Sequence, residues 1–170
     1  MKFIFDTSEE VISHFEREDY FSIRVVFSDG TDNNYLYSDD FGNHYLYFNN
    51  ENRNDLEFSL HPIRFHIKKI LMICCNNYEF RDEKMDVPVV DKKGKVIIKG
   101  ASKVNCSYFN VIVYNDGVKI DLSESEPIKY FQTGQLILSF DSKEKLVSVY
   151  ITNLAEKDIE HVKEELKLNN

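Results

Sequence analysis

The stretch Pro62-Ile63-Arg64-Phe65-His66-Ile67-Lys68-Lys69-Ile70-Leu71-Met72-Ile73-Cys74-Cys75-Asn76-Asn77 decides the fold class, because it reads in two ways. Ile63, Phe65 and Ile67 alternate with Arg64, His66 and Lys68, which is the period of a strand. Ile63, Ile67, Ile70, Leu71 and Cys74 also share one helical stripe. Pro62 suits the first position of a helix, and Asn76-Asn77 suits its end. The length of the run, about 14 residues, tips the choice toward helix. A helix over 63–76 is therefore expected, with Phe65 and Met72 left on its far face.

Upstream, Lys2–Phe5 reads as a short strand. Thr7-Ser8-Glu9-Glu10 has the spacing of a capping box, and Val11, Ile12 and Phe15 follow as one apolar stripe. These predict a short N-terminal helix. Phe21–Phe27, Asn34–Ser38, Asn43–Phe48 and Leu56–Leu60 read as strands separated by Asn/Asp-rich turns. Downstream, Lys95–Lys99, Tyr108–Tyr114, Val118–Leu122, Gln135–Phe140 and Leu146–Thr152 repeat the idiom, with Asn115-Asp116-Gly117 as a hairpin turn. Asn153 is placed to cap a final helix whose inward stripe is Ile159, Val162 and Leu166. The expected fold class is α+β: mainly antiparallel sheets in two strand-rich halves, each followed by a helix, plus the short N-terminal helix. We expect one domain over 1–170, with a pseudo-repeat over 18–77 and 95–167.

Composition narrows the class. The chain has 170 residues, 42% hydrophobic and 29% charged, with only 6 Gly and 3 Pro, which excludes collagen, linker-type disorder and a coiled-coil rod. The longest apolar run, Ile70–Cys75, falls far short of the roughly 20 residues that span a bilayer. The start carries too short an apolar stretch for a secretory signal. Cys74, Cys75 and Cys106 are odd in number, contain no CxxC, and read as reduced core thiols. A cytoplasmic location is expected.

Charge falls in blocks. Residues 1–60 hold thirteen acidic and four basic side chains, 61–104 five and ten, and 105–170 eleven and seven, for a net −8. That balance disfavours a general phosphate-binding face, while the acidic first third suits a basic partner.

One predicted hairpin carries the most specific information. Asn34–Phe48 is near-symmetric about Phe41, so pairing about that centre sets Tyr35 opposite Tyr47 and Tyr37 opposite Tyr45. Period-2 alternation then puts four tyrosines on one face, with Leu36, Leu46 and Phe48 on the other. The leucine face is the natural core side, and tyrosine offers large rigid contact area with a polar tip. Asp29, Asp32, Asp39 and Asp40 flank the hairpin at its turns. The candidate partner-binding residues are thus Asp29, Asp32, Tyr35, Tyr37, Asp39, Asp40, Tyr45 and Tyr47.

A rival strip is basic. Lys84, Lys92, Lys93, Lys95, Lys99 and Lys103 lie within twenty residues, as a phosphate-following strand or, more plainly, as a lysine-protected sheet edge. Catalytic patterns are missing from the sequence. His14, His44, His61, His66 and His161 show no metal-ligand spacing, and the glycines form no phosphate loop. No enzyme activity, cofactor or metal is expected.

In overall character the chain resembles the immunity proteins of bacterial toxin systems, especially contact-dependent growth inhibition: small, acidic, cysteine-poor cytoplasmic proteins. The resemblance implies a stoichiometric inhibitor of a toxin domain, usually a nuclease. Lys93-Gly94-Lys95-Val96-Ile97-Ile98 is similar to the start of the Lys-Gly-Lys single-stranded DNA motif of Whirly proteins, although here it opens the second half and the rest of the motif is absent. That likeness implies a related fold and, as an alternative function, single-stranded nucleic-acid binding; an unrecognised hydrolase is the third alternative. The preferred expectation is an immunity protein that neutralises a basic toxin domain through an acidic, tyrosine-rich surface, with no membrane and no nucleic acid as partner.

Overall fold

Short runs that alternate apolar and polar residues recur along the chain, and the computed structural model is built mainly from strands. It describes residues 1–28, 44–51, 54–72, 75–100 and 103–168. In chain order the strands are β1 (Lys2–Asp6), β2 (Ile12–Phe15), β3 (Ile23–Ser28), β4 (His44–Asn49), β5 (Asp55–Leu60), β6 (Ile67–Met72), β7 (Tyr78–Phe80), β8 (Lys92–Lys93), β9 (Lys95–Lys99), β10 (Lys103–Asn105), β11 (Asn110–Val113), β12 (Val118–Asp121), β13 (Lys129–Thr133), β14 (Leu136–Phe140) and β15 (Leu146–Ile151). The helix α1 (Glu156–Leu168) follows. A six-stranded sheet has the order β10-β4-β5-β6-β3-β2, and a seven-stranded sheet the order β7-β11-β12-β15-β14-β13-β8. β1 and β9 form a separate antiparallel ribbon.

The two large sheets share one core. Ile23, Val25, Leu56, Phe58, Ile70 and Met72 from the first meet Val111, Val113, Ile120, Leu138 and Val149 from the second in a single buried cluster. The arrangement is a sandwich, in which each sheet turns its apolar face inward. The ribbon bridges the layers. Phe3 and Phe5 set their rings against Phe140 and Phe131, 4.4 to 5.3 Å between centroids, while the Ile98 amide donates to the Phe65 carbonyl beside β6. α1 closes a second gap with Ile159, Val162 and Leu166, and His161 reaches the Phe21 carbonyl.

The α+β expectation is corrected here: the described chain is mostly β, with one C-terminal helix. Residues 67–72 form a strand, not a helix, paired on both sides. Ile70 lies between Phe58 and Val25, and Met72 between Leu56 and Ile23. A helix buries one stripe, but every residue of β6 is buried, so both faces are covered, as in an interior strand. Pro62 belongs to a tight turn. The Nδ1 of His61 accepts the amides of Ile63 and Arg64, both at 3.1 Å, and Phe65 turns through φ 60°.

The N-terminal helix is also absent. Asp6 takes over the capping chemistry, because its Oδ1 accepts both the amide and the hydroxyl of Ser8 at 2.9 and 2.6 Å. Glu9 turns outward to pair with Lys95. The β-branched pair Val11-Ile12 then favours an extended path, and β2 pairs with β3 from Ile12↔Ser28 to Phe15↔Val25. Val11 and Phe15 pack on the core, whereas Ile12 is 67% exposed. The final helix appears where its stripe placed it. Its start differs by two residues: Asn153 sits at φ 58°, and Asp158 reaches back to the Ala155 amide at 3.0 Å.

Gly117 is required for space rather than for left-handed backbone. A Cβ there would stand 2.5 Å from Met85 Cε and 2.7 Å from the Ile151 carbonyl oxygen. Gly117→Ala is therefore expected to destabilise the protein by about 1–3 kcal/mol. Phe58→Ala, at a fully buried ring, is expected to cost about 3–5 kcal/mol. Urea unfolding checks both; a change under about 0.5 kcal/mol for either contradicts the packing described.

Candidate functional site

The site is built from the outward side chains of the six-stranded sheet. Along β4, Leu46 and Phe48 point into the core, so the intervening Tyr45 and Tyr47 face outward. Their rings stack, 5.9 Å between centroids and 22° apart in plane. Across the ladder Tyr47 opposes Glu57 and Tyr45 opposes Ser59. The Ser59 hydroxyl donates to Glu57 Oε1 at 2.8 Å, which fixes the carboxylate beside the phenol. On the other side of Tyr47 stands Lys103 of β10. Further along the same row come Leu71 on β6 and Arg24 on β3. Arg24 binds Glu16 at 2.6 Å and Glu18 at 2.8 Å.

The row Lys103–Tyr47–Glu57–Leu71–Arg24–Glu16 thus alternates cation, aromatic, anion, apolar group, cation and anion. Tyr47, Asn49, Asp55, Glu57, Leu71 and Lys103 line an open depression of about 350 Å³. Tyr47 is 38% exposed. Burial of part of its ring, the charge of Glu57 and the hydrogen bond to that carboxylate hold its phenol above the usual tyrosine range. A stiff aromatic pair beside paired charges has the composition common at binding surfaces.

Of the sequence-predicted residues, Tyr45 and Tyr47 come together on this face. Asp29, Asp32, Tyr35, Tyr37, Asp39 and Asp40 lie outside the described residues. The expected pairing of Tyr47 with Tyr35 is corrected: Tyr47 stands between Glu57 of β5 and Lys103 of β10, which fill both sides of β4 there. Sequence reasoning missed Glu57, Leu71 and Arg24, and assigned Lys103 to the basic strip instead of to this face. The alternation in Leu56-Glu57-Phe58-Ser59-Leu60 carried the outward direction of Glu57, but its register against Tyr47 depends on a loop that no pattern sets.

The lysine strip does not stay together. Lys92 and Lys93 end the seven-stranded sheet, Lys103 ends the six-stranded one, and Lys99 lies in the ribbon. Lys95, the second lysine of the Lys-Gly-Lys run, is 9% exposed and paired with Glu9. This geometry fits lysine-guarded edges better than a track for phosphates. Among the described residues no group of His, Cys, Asp or Glu is placed to hold a metal ion. The Cys106 thiol is pushed up to about 11 by burial. No helix among the described residues is long and apolar enough to cross a membrane.

Glu57→Gln removes the negative charge beside Tyr47, so its phenol is expected to ionise at lower pH. The ultraviolet titration difference between the Tyr47-containing and Tyr47→Phe proteins, with and without Glu57→Gln, measures this. An unchanged or raised midpoint contradicts the contact. In the comparisons with known proteins, no family model matches the chain and no curated protein matches it in sequence.

Proposed function

We propose that this protein is an immunity protein: it binds a cognate bacterial toxin domain, a basic nuclease, and neutralises it by stoichiometric occlusion. The observation that carries the reading is the stacked Tyr45–Tyr47 pair on the outer face of β4, with Glu57 fixed beside it. Such aromatics lose little entropy on binding and anchor interfaces disproportionately. The acidic first third supplies the charge that draws in a basic surface. Nucleases expose lysines and arginines where nucleic acid must lie, and carboxylates occupy that ground by matching phosphate charge. Rim charges such as Glu57 govern the encounter rate, and the tyrosines govern the lifetime.

An immunity protein is expected beside a gene for a large secreted protein; the test takes the C-terminal domain of such a product as the binding probe, and the absence of any such gene contradicts the reading. The expected complex is nanomolar or tighter. Tyr47→Ala is expected to weaken it by about 2–4 kcal/mol, mainly through faster dissociation. Added salt is expected to slow association more than it speeds dissociation. Circular dichroism confirms that the variant is folded. Affinity unchanged by both Tyr45→Ala and Tyr47→Ala contradicts the assignment of the face, and absence of binding contradicts the function.

A further inference from the structure

The segment that joins β7 to β8 crosses the outer face of the seven-stranded sheet, remote in the fold from the tyrosine pair. Its near end is clamped. The Asn115 amide donates to the Glu83 carbonyl at 2.9 Å, the Met85 amide donates to Asp116 Oδ1 at 2.8 Å, and the Met85 side chain is buried against Gly117. Its far end is clamped twice, Asp91 amide to Tyr130 carbonyl at 2.9 Å and Tyr130 amide to Asp91 Oδ2 at 2.7 Å. Between the clamps run Asp86-Val87-Pro88-Val89-Val90, and no backbone group of these five forms a hydrogen bond. The path from the β11–β12 turn to β13 passes over three interstrand gaps, about 14 Å. Tyr130 also lies three residues along the strands from the row of Val118, about 10 Å, so the diagonal is roughly 17 Å. Six residue steps reach at most about 20 Å, so the segment is extended.

Its side chains alternate. Val90 packs on a small second cluster with Tyr150 and Ile137. Val89 is 91% exposed and Val87 47% exposed. Val87 and Val89 thus present apolar surface to solvent on an extended segment whose backbone groups are open to pairing. The placement of Pro88 is informative. An extended peptide that adds to an edge strand bonds through alternate residues. Val87 and Val89 are the bonding positions, and proline, which lacks an N–H, occupies the one between them.

We propose that Asp86–Val90 is a substrate-like binding loop that blocks a serine endopeptidase with a small apolar specificity pocket, with Val89 in that pocket. This stands on its own observations and does not rest on the toxin-binding reading. The enzyme's cleft supplies an edge strand for Val87 and Val89, and Asp86 and Asp91 favour a cleft with a basic rim. Attack of the enzyme's serine oxygen on the Val89 carbonyl forms an ester and breaks the Val89–Val90 C–N bond, and the amine of Val90 takes up the serine's proton. The clamp at Asp91 and Tyr130 holds that amine beside the ester. Re-formation of the peptide therefore outruns hydrolysis, because the leaving group remains at high effective concentration. The loop inhibits because it is held.

The experiment measures elastase and trypsin hydrolysing small chromogenic peptides in the presence of the purified full chain. The expected result is competitive inhibition of elastase, with the loop uncut by intact mass over hours. Val89→Lys is expected to weaken elastase inhibition by about 100-fold or more and to create trypsin inhibition. Val89 is a surface residue, so the variant is expected to fold as the parent does. Cleavage within 86–90 without inhibition, inhibition of neither enzyme by either protein, or elastase inhibition indifferent to Val89→Lys overturns the proposal.

Discussion

Burial of β6 on both faces is the constraint on which the rest of the structure depends. Its inward residues Ile70 and Met72 are fully buried against β3 and β5 and join the core shared with the second sheet. Its outward residues Lys69 and Leu71 are 6% and 8% exposed. A strand so covered cannot slip by one residue, because the slip would put Lys69 into the apolar core. Fixing β6 fixes β5 beside it, β5 fixes β4, and β4 places Tyr45 and Tyr47 outward. The geometry of the candidate site is therefore inherited from a lysine-bearing strand that contributes little to its exposed surface.

The same strand explains where the sequence was legible and where it was not. The strands β1, β3, β4, β5, β9, β11, β12, β14 and β15 were legible because turns bound short alternating runs, and the inward stripe of α1 was legible because it repeats at helical spacing. The 63–76 stretch misled because a doubly covered strand loses its alternation and its apolar residues then fit a helical stripe by chance. Residues 7–10 misled because a capping box needs a helix behind it, and the extended path of Val11–Phe15 along β3 outweighed the local signal. β7, β8 and β10 are two or three residues long and exist only through parallel pairing with distant partners. Nothing local announces such strands. For the site, direction was legible at Tyr45, Tyr47 and Glu57, whereas register across β4, β5 and β10 was not.

Two outward faces emerge with different physics. On the six-stranded sheet, rings and charges stand on rigid strands, and Arg24 neutralises its own acids, so the exposed character of the row comes from the Tyr47–Glu57–Lys103 end. On the seven-stranded sheet, Tyr114, Tyr150 and Ile137 are roofed by Met85 and Val90, and the roof itself becomes the exposed feature. The first is a platform and the second a taut cord. Each draws its precision from tertiary clamps, with Ser59 on Glu57 in one case and Asp91 on Tyr130 in the other. In each case a side chain or segment is already held in the free chain, and such order lowers the entropy lost on any association.

The central claim is that the outer face of β4 and β5 holds another protein. Hydrogen–deuterium exchange on the free chain and on its complex with the proposed toxin domain tests it most directly. The account predicts that complex formation slows exchange in peptides covering 44–60 and 103–105. Protection confined to the seven-stranded sheet or to α1, with 44–60 exchanging as in the free chain, would contradict it.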